Sequence, residues 1–314
     1  MSHPSRQNEP LSHQVEGAGR FAPSPSGDLH LGNLRTALLA WLFARSTGRR
    51  FLMRVEDLDR VREGSRERQL SDLTELGLDW DGDVVSQSHR LLHYDNAIAR
   101  LRAAGLSYEC FCTRREILKA ASAPHAPQGA YPGTCRNLTP DERETRRSSG
   151  RPPALRLRAA VTSFAVDDLI HGSCSGLVDD FVLRRGDGTP AYNLAVVVDD
   201  ADQGIDQVVR GDDLLSSAPR QAYLAGLLGL TAPTYAHVPL AVNEEGKRLA
   251  KRDGGVTLAE LKALGRSPGQ VLGILATSLG LAVQGEVVNL ALLLDRFEPG
   301  RLPREPWVVR PSAP

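Results

Sequence analysis

The chain has 314 residues, 41% of them hydrophobic and 24% charged, with 38 basic side chains against 38 acidic ones. At roughly 100 to 200 residues per domain this is one large domain or two ordinary ones, which excludes a disulfide-stapled miniprotein; the average composition excludes a disordered chain and a bulk polycation. Neutrality leaves room for a nucleic-acid partner, because such binding needs a local basic face and not a basic total.

Residues 1 to 17 read as a polar, flexible tail without the apolar stretch of a signal peptide, so the chain is expected in the reducing cytoplasm. Four cysteines in that compartment read as thiols or metal ligands. Gly19 to Ala22 is a short strand, followed by a Pro/Ser/Gly loop and an apolar helical run from about Gly32 to Ala44. The longest apolar stretches, such as Leu38 to Ala44, fall far short of the ~20 residues that span a bilayer, and no membrane partner is expected. Phe51 to Val55 reads as a second strand, and Arg66 to Leu76 and Tyr94 to Ala104 as helices. This alternation predicts an α/β fold with a parallel sheet, whose ligands bind at the carboxyl ends of the strands.

From Tyr108 to about Arg158, cysteines, a Pro/Gly/Ala stretch and arginine-rich turns replace the alternation, as in an insertion. Phe181 to Arg184 and Ala191 to Val198 flank a Gly-containing turn and predict a β-hairpin. Helices are expected again at Ser217 to Leu228 and over most of Leu258 to Leu294, and residues 298 to 314, rich in Pro and Arg, read as a second tail. The expected units are thus a tail (1–17), a first catalytic half (18–107), an insertion (108–190), a second catalytic half (191–241), a loop-plus-helix segment (242–297) and a tail (298–314).

Two stretches carry the chemistry. Gly19-Arg-Phe-Ala-Pro-Ser-Pro-Ser-Gly-Asp-Leu-His-Leu-Gly-Asn33 joins a strand to a helix start through a rigid turn. That arrangement aims unpaired backbone N–H groups at an anion such as phosphate; the alternative is a plain βα connection with a capping asparagine and a surface histidine. Asn243-Glu-Glu-Gly-Lys-Arg-Leu-Ala-Lys-Arg-Asp-Gly-Gly255 places Lys247 and Lys251, two of only four lysines in the chain, in a Gly-flanked loop. Such cations suit charge developing on a polyphosphate, although a solvated basic loop reads the same way. Cys110-Phe-Cys112 followed by Tyr131 and Cys135 offers zinc-type donors, or simply buried thiols, while Cys174 has no partner at ligand spacing. Arg136 to Arg158 holds seven arginines against three acids, a face for phosphates or a solvated basic turn.

His30-Leu-Gly-Asn33 and Lys247-Arg-Leu-Ala-Lys-Arg252 resemble the two nucleotide-binding motifs of class I aminoacyl-tRNA synthetases. Arg20 to Gly27, Arg54-Val-Glu-Asp-Leu-Asp59, Tyr192 to Asp200 and Val209-Arg-Gly-Asp-Asp213 are similar to segments of the glutamyl-tRNA synthetase branch, in that branch's order and together covering residues 19 to about 255. Val196 and Leu214 stand where full-length members typically have asparagine and tryptophan. The chain also stops soon after the lysine loop and the helices behind it, leaving no room for a separate anticodon-binding domain. Both features, with the cysteine insertion, resemble the short paralogues of this branch that act on tRNA(Asp).

That resemblance implies a class I Rossmann-like domain with a zinc-binding insertion and a C-terminal helical segment. It implies activation of L-glutamate by ATP without tRNA, with Mg2+ accompanying the nucleotide, and transfer of the glutamyl group to the queuosine base at the wobble position of tRNA(Asp). It places His30, Gly32, Asn33, Arg248 and Lys251 at ATP, with His30 and Lys251 catalytic. Arg20, Ser24, Glu56, Tyr192 and Arg210 fall at glutamate, whose two carboxylates and one ammonium require guanidinium groups and an acid. Cys110, Cys112, Tyr131 and Cys135 would hold one structural zinc per chain. Ala250 departs from the serine common in the lysine motif, which removes one hydroxyl donor. A monomer is expected. The rival expectations are a short glutamyl-tRNA synthetase charging tRNA(Glu) or tRNA(Gln), and an inactive paralogue that only binds RNA or zinc.

Overall fold

The computed structural model describes residues 17–121, 130–249 and 256–310. In chain order, β1 (Ala18–Phe21) leads into α1 (Leu31–Arg45), β2 (Arg50–Val55), α2 (Ser65–Glu75), β3 (Val85–Ser86) and α3 (Leu91–Ala103). Then come β4 (Ser107–Cys110), α4 (Arg114–Ala121), α5 (Pro140–Ser148), β5 (Ala154–Leu157), β6 (Ser163–Asp168), β7 (Gly172–Leu177) and β8 (Val182–Arg184). The second half runs through α6 (Tyr192–Asp202), β9 (Ile205–Gly211), α7 (Ala218–Leu227), β10 (Thr234–Val238) and β11 (Ala241–Val242), and on to α8 (Leu258–Ala263), α9 (Pro268–Ser278), α10 (Leu290–Arg296) and β12 (Trp307–Val308).

The main sheet has the strand order β3-β2-β1-β9-β10-β6-β7. All its pairings are parallel except the edge hairpin of β6 with β7. Every residue of β1 is buried, as a central parallel strand covered on both faces requires. α1 is buried nearly all round: Leu34, Leu38, Leu39, Leu42 and Phe43 lie in the largest apolar cluster, which extends to Val271, Leu275 and Leu293 of α9 and α10. The C-terminal helices are therefore packed on the catalytic helix. Arg35 fastens them: its guanidinium is buried and donates to the Pro239 carbonyl at 2.7 Å and to the Ser278 hydroxyl at 3.1 Å. Burial lowers its pKa to about 10, against the opposing pull of Asp212.

Three expectations need correction. The turn of the hairpin forms, with Arg185 N–H on the Thr189 carbonyl and a single bridge between Arg184 and Pro190, but Ala191 to Val198 is helix α6 and not a strand. Pro190 has no N–H to extend the ladder, and the Leu194 to Val198 run is buried in contact with Tyr94, Ile98 and Leu224, so packing overrides its β-branched preference. The stretch expected as an insertion over 108–190 is not a single unit. β4, β5 and β8 make a separate antiparallel sheet, whereas β6 and β7, which lie between them in sequence, extend the main sheet. Residues 298–310 are not a tail: Trp307 N–H bonds the Leu240 carbonyl, β12 pairs with β11, and Leu302 and Val309 are buried. Leu302 and Val309 join the main apolar cluster, which also holds Ala241 of β11. Among the described residues, no helix is long and apolar enough to cross a membrane.

Candidate functional site

The parallel strands β1, β2 and β9 deliver their functional side chains toward one end. Arg20 lies in β1, Glu56 directly follows β2, Arg210 lies near the end of β9, and Tyr192 opens α6. Arg20 and Arg210 are 4% and 5% exposed, so each guanidinium must be partnered. Arg20 contacts are long: Nε to Asp200 at 3.4 Å and Nη1 to the Val209 carbonyl at 3.5 Å. Arg210 Nη1 donates to Gln221 Oε1 at 2.8 Å and to the Tyr192 hydroxyl at 3.4 Å, and Nη2 reaches the Leu214 carbonyl at 3.4 Å. Long contacts of this kind are ones a carboxylate ligand could replace with shorter, charge-assisted bonds. The geometry therefore brings together Arg20, Glu56, Tyr192 and Arg210.

Two residues that the sequence reading passed over order this cluster. Arg54, wholly buried in β2, donates to Asp200 at 2.7 Å and to Gln203 at 2.8 Å, and lies 3.4 Å from Glu56. Burial works against its charge but is outweighed by Asp200, Glu56 and Asp199, so its pKa is raised. Burial pushes Asp200 up, but Arg54 and then Arg20 more than compensate and hold its carboxyl below the usual range. Glu56 goes the other way, raised because burial outweighs Arg54 and Arg20. His237, fully buried in β10, accepts from Arg210 Nε at 3.0 Å and meets Asp168 at 2.6 Å. The signal for both was a charged or titratable residue inside an otherwise apolar parallel strand, a position that demands a partner.

Ser24 is exposed in the loop after β1; its carbonyl and that of Gly27 accept from the Gln69 amide, which pins the turn. Gly27 has φ 144°, a conformation that side chains other than glycine rarely adopt. His30 caps α1: its Nδ1 accepts from the N–H groups of Gly32 and Asn33, and the Asn33 side chain accepts from His30 N–H. The capping expected of the asparagine is present with the roles exchanged: His30 is the N-cap and Asn33 closes the box from the third helical position, while the Gly32 and Asn33 amides are already paired with the His30 ring. With Nδ1 an acceptor, the neutral ring carries its proton on Nε2, the donor a phosphate oxygen requires. A β-carbon on Gly32 would come within 3.0 Å of the His30 ring and of Ala241, so glycine is what lets these segments approach.

The second motif closes on the first although 200 residues separate them. Leu249 N–H bonds the Ala241 carbonyl, Leu31 N–H bonds the Val256 carbonyl, and His30 bridges Thr257. Both flanks of the lysine loop are therefore anchored beside the His30 cap. Arg248 pairs with Asp213, just past β9. Lys251 and Ala250 lie outside the described residues.

Away from this end, Cys110, Cys112 and Cys135 lie with their sulfurs within 4.8 Å of one another. Tyr131 joins them: its hydroxyl is 3.2 Å from Cys110 Sγ and 3.5 Å from Cys112 Sγ, and accepts from Cys135 N–H at 2.9 Å. Three converging thiols and a phenol, all buried except the partly exposed Cys112, can hold a metal ion, and they fit a thiolate-preferring one. Cys174 is elsewhere, on β7 against the His171 carbonyl. The basic stretch is thinner as a surface than as a sequence. Arg156 is buried over the Tyr131 ring, Arg136 pairs with Asp180, and Arg158 bonds the Arg136 carbonyl. The wholly polar helix α5, with Arg143, Arg146 and Arg147, and the exposed Arg151 remain at the surface.

The family model described as tRNA synthetases class I (E and Q), catalytic domain, matches residues 18–289. A glutamyl-Q tRNA(Asp) synthetase of Nocardia farcinica is 67% identical over 295 residues, covering 94% of each chain. One of Cutibacterium acnes is 56% identical, over 87% of this chain and 79% of its own length. Among solved structures, a glutamate tRNA ligase from Elizabethkingia meningosepticum in complex with its amino acid superimposes with a TM-score of 0.79 at 28% identity; the match covers 92% of this chain and 66% of that one.

Proposed function

Since the chain belongs to the class I tRNA synthetases of the E and Q branch, we propose that it activates L-glutamate with ATP and transfers the glutamyl group to the queuosine base of tRNA(Asp). The observation that carries the reading is the meeting of a two-arginine, one-carboxylate pocket with the His30 cap and both anchored flanks of the lysine loop at one end of the sheet. In the first step the glutamate α-carboxylate attacks the α-phosphorus of ATP, giving glutamyl-adenylate and pyrophosphate; in the second the glutamyl group passes to the base and AMP leaves. Mg2+ bound to the nucleotide would offset part of the phosphate charge. Arg20 and Arg210 hold the substrate carboxylates, Glu56 the ammonium, with Ser24 and Tyr192 as hydrogen-bonding partners. His30 steadies the phosphates from the α1 N-terminus, beside the Gly32 and Asn33 amides, and Lys251 and Arg248 meet the charge on the leaving pyrophosphate. No covalent enzyme intermediate is required; the chain's residues position and stabilise.

The same reading includes activation of glutamate before tRNA arrives. α5 and Arg151 supply the face for tRNA phosphates, so binding weakens steeply with salt. The assay is transfer of labelled glutamate to queuosine-containing tRNA(Asp), unmodified tRNA(Asp) and tRNA(Glu), together with glutamate-dependent pyrophosphate exchange without tRNA. Label on the first substrate alone, with exchange, is the expected result. Label on tRNA(Glu), or none on any substrate, overturns the reading.

Cys110, Cys112, Tyr131 and Cys135 would hold zinc, whose role there is structural, because four protein donors leave no position open for substrate. Freshly purified protein is expected to contain about one zinc per chain, and joint replacement Cys110→Ser and Cys135→Ser to release it and loosen the β4-β5-β8 sheet. Elemental analysis and limited proteolysis check both; metal-free native protein rules the site out.

A further inference from the structure

Arginine can only donate hydrogen bonds, so the 3.0 Å contact from Arg210 Nε makes His237 Nε2 an acceptor and leaves the ring proton on Nδ1. That proton faces Asp168 Oδ2 at 2.6 Å. The Asp168 carboxylate is itself fully engaged: Oδ2 also accepts His237 N–H at 3.0 Å, and Oδ1 accepts the N–H groups of Ile170 at 2.8 Å and His171 at 2.9 Å. β6, β10 and β9 are consecutive in the sheet, so the chain Asp168, His237, Arg210 runs across three strands and ends in the proposed glutamate pocket. His171 closes the far side, its ring against the His237 carbonyl at 3.0 Å.

We propose that His237 is a positioning residue for glutamate: as the Nδ1–H tautomer fixed by Asp168, it holds Arg210 by Nε and so turns Nη1 toward Tyr192 and the amino acid. This rests on the assignment of Arg210 to glutamate. Without the Nε anchor the guanidinium retains only Gln221 and two contacts of 3.4 Å, and it must be ordered at the moment of binding. The ring stays neutral because burial lowers its pKa despite Asp168, with Arg210 adding repulsion of a second charge. An aromatic wall, Tyr235, stacks on the ring at 5.7 Å and also lies beside Arg210.

The test compares His237→Leu, His237→Gln, Asp168→Asn and Arg210→Ala in ATP–pyrophosphate exchange, with a thermal melt for each. His237→Leu removes the acceptor and is expected to raise the KM for glutamate about 10- to 100-fold, the range for a hydrogen bond to a charged group, with little change in the KM for ATP. His237→Gln returns an acceptor oxygen near the Nε2 position and should recover most of that loss. In Asp168→Asn, an amide donor facing Nδ1 drives the ring proton to Nε2, donor against donor with Arg210, and the glutamate KM should rise although His237 is intact. Wild-type glutamate affinity in His237→Leu overturns the inference. So does a Gln variant as impaired as the Leu variant, or losses that track the melts and affect both substrates equally. Arg210→Ala separates the two levels. If it is impaired while the His237 variants are not, only the inference fails; if it binds glutamate normally, the pocket assignment fails and the inference falls with it.

Discussion

Replacing Arg210 with alanine is expected to raise the KM for glutamate by roughly 30- to 5,000-fold, equivalent to about 2 to 5 kcal/mol, and to leave the KM for ATP nearly unchanged. The size follows from burial. At 5% exposure the guanidinium sits where water cannot replace it, so its loss strands a substrate carboxylate without a partner. The selectivity follows from placement, because Arg210 lies beside Tyr192 and Gln221, whereas the motifs proposed for ATP gather at the α1 N-terminus. Arg210→Lys should recover only part of the affinity. A lysine ammonium on a flexible stem cannot at once bond His237, Gln221 and Leu214 and present two parallel donors to a carboxylate. Steady-state kinetics with each substrate varied in turn provide the check. A variant that weakens ATP as much as glutamate marks Arg210 as a structural residue.

What was legible in the sequence was what local pattern determines. The βα start at Gly19 to Ala44 was visible because a strand, a rigid turn and a continuous apolar run occupy adjacent positions, and the structure has β1 and α1 there. The convergence of Cys110, Cys112, Tyr131 and Cys135 was visible for the same reason, since they lie within 26 positions of one another. α6 was misread because three consecutive valines favour a strand locally, while α3 and α7 decide the matter from elsewhere in the chain. The partners that support the pocket were hidden on similar grounds: Arg54 meets Asp200, Arg210 meets His237, and His237 meets Asp168 only once the chain is folded, across residues 27 to 146 positions apart. The end strand β12 was lost in a Pro/Arg-rich composition whose few apolar residues include Leu302 and Trp307 to Val309, and its partner β11 lies some 65 positions earlier in the chain.

The buried support behind the pocket sets the second large effect. Arg54→Met keeps the aliphatic stem but takes from Asp199, Asp200 and Glu56 the one cation that all three share, leaving only Arg20 at Asp200 and Arg90 at Asp199, and breaking a buried pair from one side costs about 3 to 5 kcal/mol. The loss should depend on pH, with a sign that the present carboxylates determine. In the native protein burial pushes the Asp200 pKa up, and Arg54, ahead of Arg20, brings it below its ordinary value. Its stabilising contribution is thus complete above the unfolded pKa, near 4, and is lost as pH falls through the lower folded value. Without Arg54 the leading opposing influence is gone and burial dominates, so the carboxyl's pKa rises. It is then destabilising at neutral pH and is relieved by taking up a proton as pH falls through that raised value. Urea unfolding of both proteins at about pH 7.5 and about pH 5 should show the gap widest at the higher pH and narrower at the lower. Arg54→Lys should fall between them, since one ammonium can neutralise the cluster but cannot span Asp200, Gln203 and Glu56 together. A stability gap that does not change between the two pH values would mean that Arg54 acts through packing and not through charge.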